Sequence, residues 1–414
     1  MPGGRAAPWL RVFLPFAAGY YLSYLLRNVN AVIAPELTRE LGVSAADLGL
    51  LTSSYLLAFG AFQLPLGILL DRYGARRVEA GLLVIAAAGS ILFALGRTLP
   101  ELALARAAIG LGVSACLMAS FKAVSVWFPA ERQPSLYSAV MVAGSLGALS
   151  ATTPLSLVLP VFGWRGVFYV LAALTLAAAF AILSTPDEVS SRSGDTLGQQ
   201  FRALGGIVRS RAFWRYAPQA ATSVGGFMAL QGLWAAPWLM AVRGHSRAGA
   251  AFHLFLTTIA MMCGFLCVAA FIVPLRRRGI HPDRVLSVGM AAGLAAMLGL
   301  VLGAGSSYAC FSLLGLVFAI GNLSYALLSS DFAPQLAGRA NTALNLSSFG
   351  GAFVIQWGYG AILDALAARG FTPAGAHRAA LGVLLVLQAA GYVWYQLGRD
   401  RSVVSPAAPA GEGP

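Results

Sequence analysis

The chain has 414 residues, of which 58% are hydrophobic and only 10% charged, with a net charge of +13. Soluble domains carry about 25% charged residues, so this composition cannot cover two or three of them with polar surface. The four cysteines (Cys116, Cys263, Cys267, Cys310) all lie in apolar runs, which excludes a disulfide-stapled secreted scaffold. The positive charge is nearly all arginine, with Lys122 the single lysine, and it sits mainly in short connectors. Such charge reports membrane topology and not nucleic-acid binding.

A helix needs roughly 20 apolar residues to cross a hydrocarbon core. Twelve runs near 12–34, 48–70, 79–97, 102–126, 136–160, 164–184, 215–241, 250–274, 284–304, 307–330, 340–367 and 377–397 predict an all-α membrane protein with twelve transmembrane helices. Connectors as short as Thr98-Leu99-Pro100 and Phe162-Gly163-Trp164 require antiparallel neighbours. A β-barrel is excluded, because its strands are about 10 residues with strict alternation. The first run is too long for a cleaved leader and reads as a span. Connectors on one face carry Arg72, Arg76, Arg77, Arg132 and Arg276 to Arg278 among others, whereas the opposite face has only Arg39, Arg97, Arg165, Arg243, Arg247, Arg369 and Arg378. This bias predicts cytoplasmic termini in an inner, cytoplasmic membrane. The polar stretch then divides the chain into a bundle over 1–184, a cytoplasmic linker over 185–214, a bundle over 215–397 and a disordered tail over 398–414. Trp127-Phe128-Pro129 and Asp331-Phe332-Ala333-Pro334, each leading into a Gly-rich run, form a weak internal echo of the two halves.

In chain order, the first unusual residues are Arg27, Asn28 and Asn30 in run one. An arginine at mid-membrane costs about 2.5–3.5 kcal/mol on insertion scales, so it is expected to face a wet cavity or a partner. Arg106 and Lys122 in run four pose the same question. No carboxylate is expected deep in a run: Glu79 and Asp331 fall near the arginine-rich ends, and Asp364 toward the opposite end of run eleven. Basic groups without an acid predict a cavity of positive potential, and arginine's planar fork suits carboxylate or phosphate. Arg27 and Arg106 lie at similar depth, so the pair is expected to clamp one anion. Asn28 and Asn30 cannot both share the face of Arg27. Other roles stand open, with Arg106 bonding backbone carbonyls as a packing element or Lys122 snorkelling to water.

Run seven places Gln231, Trp234 and Trp238 at i, i+3 and i+7 on one face, with Pro237 loosening the helix. Trp238 fits an interfacial aromatic belt equally well. Gln356 in run eleven completes the candidate substrate set of Arg27, Asn28, Asn30, Arg106, Lys122, Gln231, Trp234 and Gln356. Asn322, Tyr325 and Trp357 are weaker candidates. No nucleophile, nucleotide or metal-ligand pattern is present, so an enzyme, a cofactor and a bound metal are not expected.

The loop between runs two and three reads Gly67-Ile68-Leu69-Leu70-Asp71-Arg72-Tyr73-Gly74-Ala75-Arg76-Arg77. It resembles the G-x-L-x-D-R-x-G-R-R signature of the major facilitator superfamily. That resemblance implies two pseudo-symmetric six-helix bundles that alternate access to a central site. It also implies a gating latch of Gly67, Asp71, Arg72, Gly74, Arg76 and Arg77, with Asp71 near the N-terminus of helix eleven, where negative charge is favoured by about 0.3–1 kcal/mol. The matching loop of the second half has Val273 and Pro274 in place of an acid and an arginine, which implies a weaker second latch.

Run one, from Tyr24 through Arg27, Asn28 and Asn30 to Pro35, is similar to the Y-x-D-R-x-N-x-S-V-A-A-P pattern of the anion:cation symporter family. Arg106, Lys122, Trp127 to Arg132 and Gly163-Trp164-Arg165 extend that similarity. Leu26 and Val113 stand where the family often has the acids of proton coupling, so coupling does not carry over. The exporter signature G-x-x-x-G-P is absent at Gly144 and Gly147. The expectation is a monomeric transporter of a small organic anion, with membrane lipid and a small-molecule solute as its partners and no nucleic acid. A carrier of neutral, zwitterionic or amphipathic solutes is the alternative, and a non-transporting sensor is a further one.

Overall fold

The computed structural model describes residues 9–129, 132–186, 197–332 and 334–402. Much of the expected linker (187–196) and most of the expected tail lie outside them. All regular structure among the described residues is helical. We label the twelve crossings α1 to α12. The first half holds α1 (Leu14–Leu41), α2 (Ala45–Leu70), α3 (Arg72–Leu95) and α4 (Leu99–Trp127). It is completed by α5 (Gln133–Ser150, resuming at Thr153 and ending at a break at Gly163) and by α6, which runs from there to Leu183. A short helix, Leu197–Val208, precedes the second half. There α7 runs from Arg211 to Arg243, followed by α8 (Arg247–Arg277), α9 (Pro282–Leu302), α10 (Ser307–Ser330), α11 (Pro334–Ala367) and α12 (Pro373–Ser402). Eight stretches are long and apolar enough to cross a membrane on composition alone, and α1, α7 and α11 are not among them. Those three helices carry Arg27, Asn28, Gln231 and Gln356, which line the recess at the centre of the molecule.

Two connections need no loop because a glycine breaks the helix directly. Gly74 (φ 79°, ψ 160°) separates α2 from α3, and Gly163 (φ 63°, ψ 167°) separates α5 from α6. Residues with a Cβ rarely adopt such positive φ values, so the glycine of the loop motif is required for backbone reasons alone. Elsewhere glycine permits close helix approach. A Cβ at Gly112 would lie 2.6 Å from the Leu82 carbonyl, so α4 packs on α3 only because that atom is missing.

Each half is stapled by side-chain bonds. In the first, Glu40 at the end of α1 receives Trp164 Nε1 (2.7 Å) and pairs with Arg165, which also reaches the Gly96 carbonyl ending α3. The Gly163-Trp164-Arg165 segment therefore ties three helix ends together. In the second half, Arg215 pairs with Asp283 at 3.1 Å, and Tyr395 donates to the same carboxylate at 2.6 Å. Pro218 has no N–H to offer the Trp214 carbonyl one turn earlier, and Trp394 Nε1 takes that acceptor at 2.6 Å. Burial pushes the nearby Asp331 carboxyl above the usual carboxylate range, with Arg215 acting against it.

Candidate functional site

The halves meet where α1 packs on α7 and α2 packs on α11. At that junction lies a recess of about 470 Å³, counting the solvent at its mouth, lined by Tyr24, Arg27 and Asn28 of α1, Thr52 and Tyr55 of α2, Gln231 of α7 and Gln356 of α11. Leu56, Met228, Met261 and Phe318 supply its apolar wall. Arg27 is the one charged residue among those that line it.

Three rings hold the Arg27 guanidinium. Its central carbon lies 4.6 Å from the Tyr24 ring, 4.8 Å from Phe59 and 5.4 Å from Phe349. Ring faces attract a desolvated cation, so the box fixes the fork's position without neutralising its charge. Asn28 Nδ2 donates to the Tyr24 carbonyl one turn back at 2.8 Å, which holds the amide at the edge of the recess. Asn30 points the other way and donates to Thr52 Oγ1 at 3.1 Å, joining α1 to α2. The structure thus separates the two asparagines, as their spacing requires.

The second half contributes two amides. Gln231 donates to Thr258 Oγ1 at 3.1 Å. Gln356 is fully buried, and neither amide atom has a partner among the described residues. Trp234 stands behind Gln356, donating to its backbone carbonyl at 2.8 Å and stacking on Tyr359 at 5.0 Å. It orients the recess wall and does not line it.

Arg106 is fully buried beside the recess. Its Nη1 donates to the Leu26 carbonyl at 3.0 Å, and its guanidinium packs 5.1 Å from the Tyr55 ring and 5.8 Å from Phe93. Nε and Nη2 have no partner. This is the packing arrangement, with Tyr55 lining the recess in its place. Lys122 donates to the Leu70 carbonyl at 2.7 Å and so reaches the C-terminal end of α2. The rings around Arg27 and the Thr52–Tyr55 pair escaped the sequence reading. Tyr24 and Arg27, like Thr52 and Tyr55, are i, i+3 neighbours on one helix face, a usable signal; Phe59 and Phe349 gave none.

One expectation is overturned. Glu79 is not at a wet helix end but fully buried, with its carboxyl beside the Cys116 thiol. Since α3 begins at Arg72, Glu79 lies two turns inside, on the face turned into the first half. Its carboxyl occupies the space that a Cβ at Gly19 would fill, with the Ile182 side chain close by. The core therefore does contain a carboxyl group, placed away from the recess.

The arginine-poor end is closed by contacts between the halves. Asp364 of α11 accepts the backbone N–H groups of Ala45 (3.0 Å) and Ala46 (2.8 Å), the first residues of α2. Arg247 of α8 pairs with Glu36 of α1 and reaches the Val32 carbonyl at 2.6 Å. Below them, a Cβ at Gly49 would sit 2.7 Å from the Gln356 carbonyl. At the opposite end, Arg76 Nε donates to the Leu183 carbonyl ending α6 at 2.9 Å, and Arg72 lies 5.3 Å from the Tyr73 ring. The Asp71 side chain is outside the described residues, and a Cβ at Gly67 would meet open space.

Negative charge at a helix N-terminus contributes about 0.3–1 kcal/mol, and up to about 2 kcal/mol when partly buried. Asp364→Asn is therefore expected to shift the open-to-closed ratio at this end by about 2- to 30-fold toward open. Spin–spin distances between labels at Arg97 and Arg369 measure that ratio, and an unchanged distribution removes Asp364 from the gate.

Comparison with known proteins gives a consistent result. The model of the Major Facilitator Superfamily matches residues 16–355. A hexuronate transporter of Escherichia coli (strain K12) is 27% identical over 385 residues, covering 86% of this chain and 87% of that protein. A galacturonate transporter of Dickeya chrysanthemi is 29% identical over 165 residues, covering 40% of this chain and 48% of that one. Among solved structures, a bacterial homologue of the human lysosomal transporter Spinster, inward-facing and occupied, superposes with a TM-score of 0.75 at 17% identity, covering 99% and 100% of the two chains. The nucleoside transporter NupG gives a TM-score of 0.73 at 15% identity, covering 93% of this chain and 99% of that one.

Proposed function

The chain belongs to the Major Facilitator Superfamily, and on that premise we propose that it carries a small hydroxylated organic acid, of the hexuronate kind, across the cytoplasmic membrane by alternating access. The observation that carries this reading is the single ring-boxed arginine in a recess whose other polar groups are amides and hydroxyls. A guanidinium fork matches a carboxylate in two parallel hydrogen bonds. Asn28, Thr52, Gln231 and Gln356 offer the donors and acceptors that a polyhydroxy body needs. The names of the relatives, which include hexuronate and galacturonate transporters, support the same class.

In this reading the arginine-rich face is cytoplasmic, both termini lie there, and the contacts of Asp364 and Arg247 shut the outer end. Solute arriving from outside meets Arg27 when those contacts part. Closure then returns α2 to α11, and release follows on the arginine-rich side. Arg106 acts through α1, holding the Leu26 carbonyl immediately before Arg27. Lys122 acts on the end of α2, and the loop motif serves as the inner latch. The two halves work as one monomer.

The test is thermal stability of the purified protein with galacturonate, glucuronate, galactose and a set of amino acids. A ligand of the folded state raises stability by an amount set by its concentration over its dissociation constant, about 2.7 kcal/mol at a hundredfold excess. Stabilisation by the two acids and not by galactose is the expected result. Stabilisation only by galactose or amino acids overturns the acid reading.

A further inference from the structure

A second recess lies wholly within the second half. It lies between α7, α9, α10 and α12, has about 560 Å³ of non-protein space when the solvent at its mouth is counted, and has no charged residue in its lining. The helix directions polarise it. Gln219, Ser223 and Tyr392 lie toward the arginine-rich side, whereas Leu230, Leu314 and Met297 lie further from it.

Gln219 is the feature that calls for a ligand. It is fully buried, and among the described residues neither its side-chain oxygen nor its nitrogen has a partner. An unpaired amide in a low-dielectric interior is costly, and native proteins rarely leave both ends of one open. The amide rests against Gly321, where a Cβ would sit 3.6 Å from Nε2. Of the other polar groups in the lining, Gln388 Nε2 donates to the Thr222 carbonyl at 3.3 Å, and Tyr392 Oη accepts from Gln396 Nε2 at 2.7 Å. The backbone around it is irregular as well. A π turn, Ala220–Val224, begins at the next residue, and such turns concentrate at functional positions.

The complement to this lining is a molecule with an apolar body and one neutral head that both donates and accepts. An ion is disfavoured, since nothing here balances its charge. We propose that the recess binds a neutral amphiphile taken from the bilayer, an aliphatic alcohol or primary amide, with its head on Gln219 and its chain toward Leu314 and Met297. Phe318 lines both recesses and stacks on Phe227 at 4.5 Å. Occupancy is therefore felt at the wall of the central site. The proposal does not depend on which solute that site carries.

The test uses the full chain in lipid nanodiscs and a photoreactive, diazirine-bearing octanol, with adducts mapped by mass spectrometry. Adducts are expected on Met290, Met297 and Leu314, competed by octanol and much less by octane. Gln219→Leu should lower that labelling about 3- to 10-fold, the worth of one buried hydrogen bond. Gly293→Leu should remove it, because a Cβ there already comes within 3.1 Å of Val317 Cγ1. Both variants are checked for monodispersity. If either fails to fold, the octanol-against-octane competition in the unaltered protein decides alone. Labelling spread over exposed residues such as Val288 and Leu298, or octane competing as well as octanol, overturns the proposal.

Discussion

Gly360→Leu is expected to lower transport at least about 100-fold while leaving the protein folded. Gly360 of α11 faces the start of α2, where a Cβ would lie 2.7 Å from the Ala45 carbonyl carbon and 2.9 Å from Ala46 Cα. Those are backbone atoms, so no side-chain rotation relieves the clash. Overpacking typically costs about 1–3 kcal/mol, and more against backbone. Here the cost falls only on the state in which α2 and α11 touch. A penalty of about 3 kcal/mol changes that state's population by roughly a hundredfold. The same movement removes Asp364 from the N-terminus of α2, so the two effects act together. Gly358→Leu is the control, since a Cβ at Gly358 has nothing within 4 Å. Transport in proteoliposomes and the Arg97–Arg369 label distance report the outcome. A Gly360 variant that transports normally, with an unchanged distance, would show that closure of this end is not part of the cycle.

Arg27→Gln is expected to weaken binding of an organic acid by about 10- to 150-fold, from the 1.5–3 kcal/mol that a hydrogen bond to a charged group contributes. Arg27→Lys should recover only part of it. Lysine keeps the charge but lacks the fork, and its compact ammonium does not fill the box of Tyr24, Phe59 and Phe349. Titration calorimetry of galacturonate against the three proteins measures this, with galactose as the neutral companion. Equal affinity for the acid in Arg27→Gln would make the arginine a structural element. Weakening of acid and neutral sugar alike would assign it to general architecture and not to charge recognition.

These two expectations draw on different amounts of sequence information. Arg27 was singled out directly, because a cation in a long apolar run demands an explanation. Its surroundings were only partly legible. Tyr24 shares its helix face at fixed spacing, whereas Phe349 comes from another half of the molecule and left no local trace. Arg106 looked equivalent to Arg27 by depth, and rotation about the helix axis separated them. One faces the recess, and the other packs behind Tyr55 against the Leu26 carbonyl. Glu79 was misplaced for a related reason. Its distance along the chain from the arginine-rich loop was evident, but which helix face it occupied, and that Gly19 leaves space for it, depended on α1.

What the sequence determined by itself was everything governed by local chemistry. Apolar length sets the crossings, arginine counts predict their direction, and Gly74 and Gly163 stand where the backbone turns through positive φ. The loop motif identified the family for the same reason, since its residues are contiguous. Tertiary structure alone decided which polar groups meet. Asp364 finds its donors 319 and 318 residues away in the chain, at the N-terminus of a helix in the other half. Trp234 settles behind Gln356 and outside the lining of the central recess, and Gln219 has no partner among the described residues within a recess of four helices. Hydrophobicity in a membrane protein tells each segment to be buried in lipid or protein but barely distinguishes the two, so partner choice rests on shape and hydrogen bonding between faces distant in sequence.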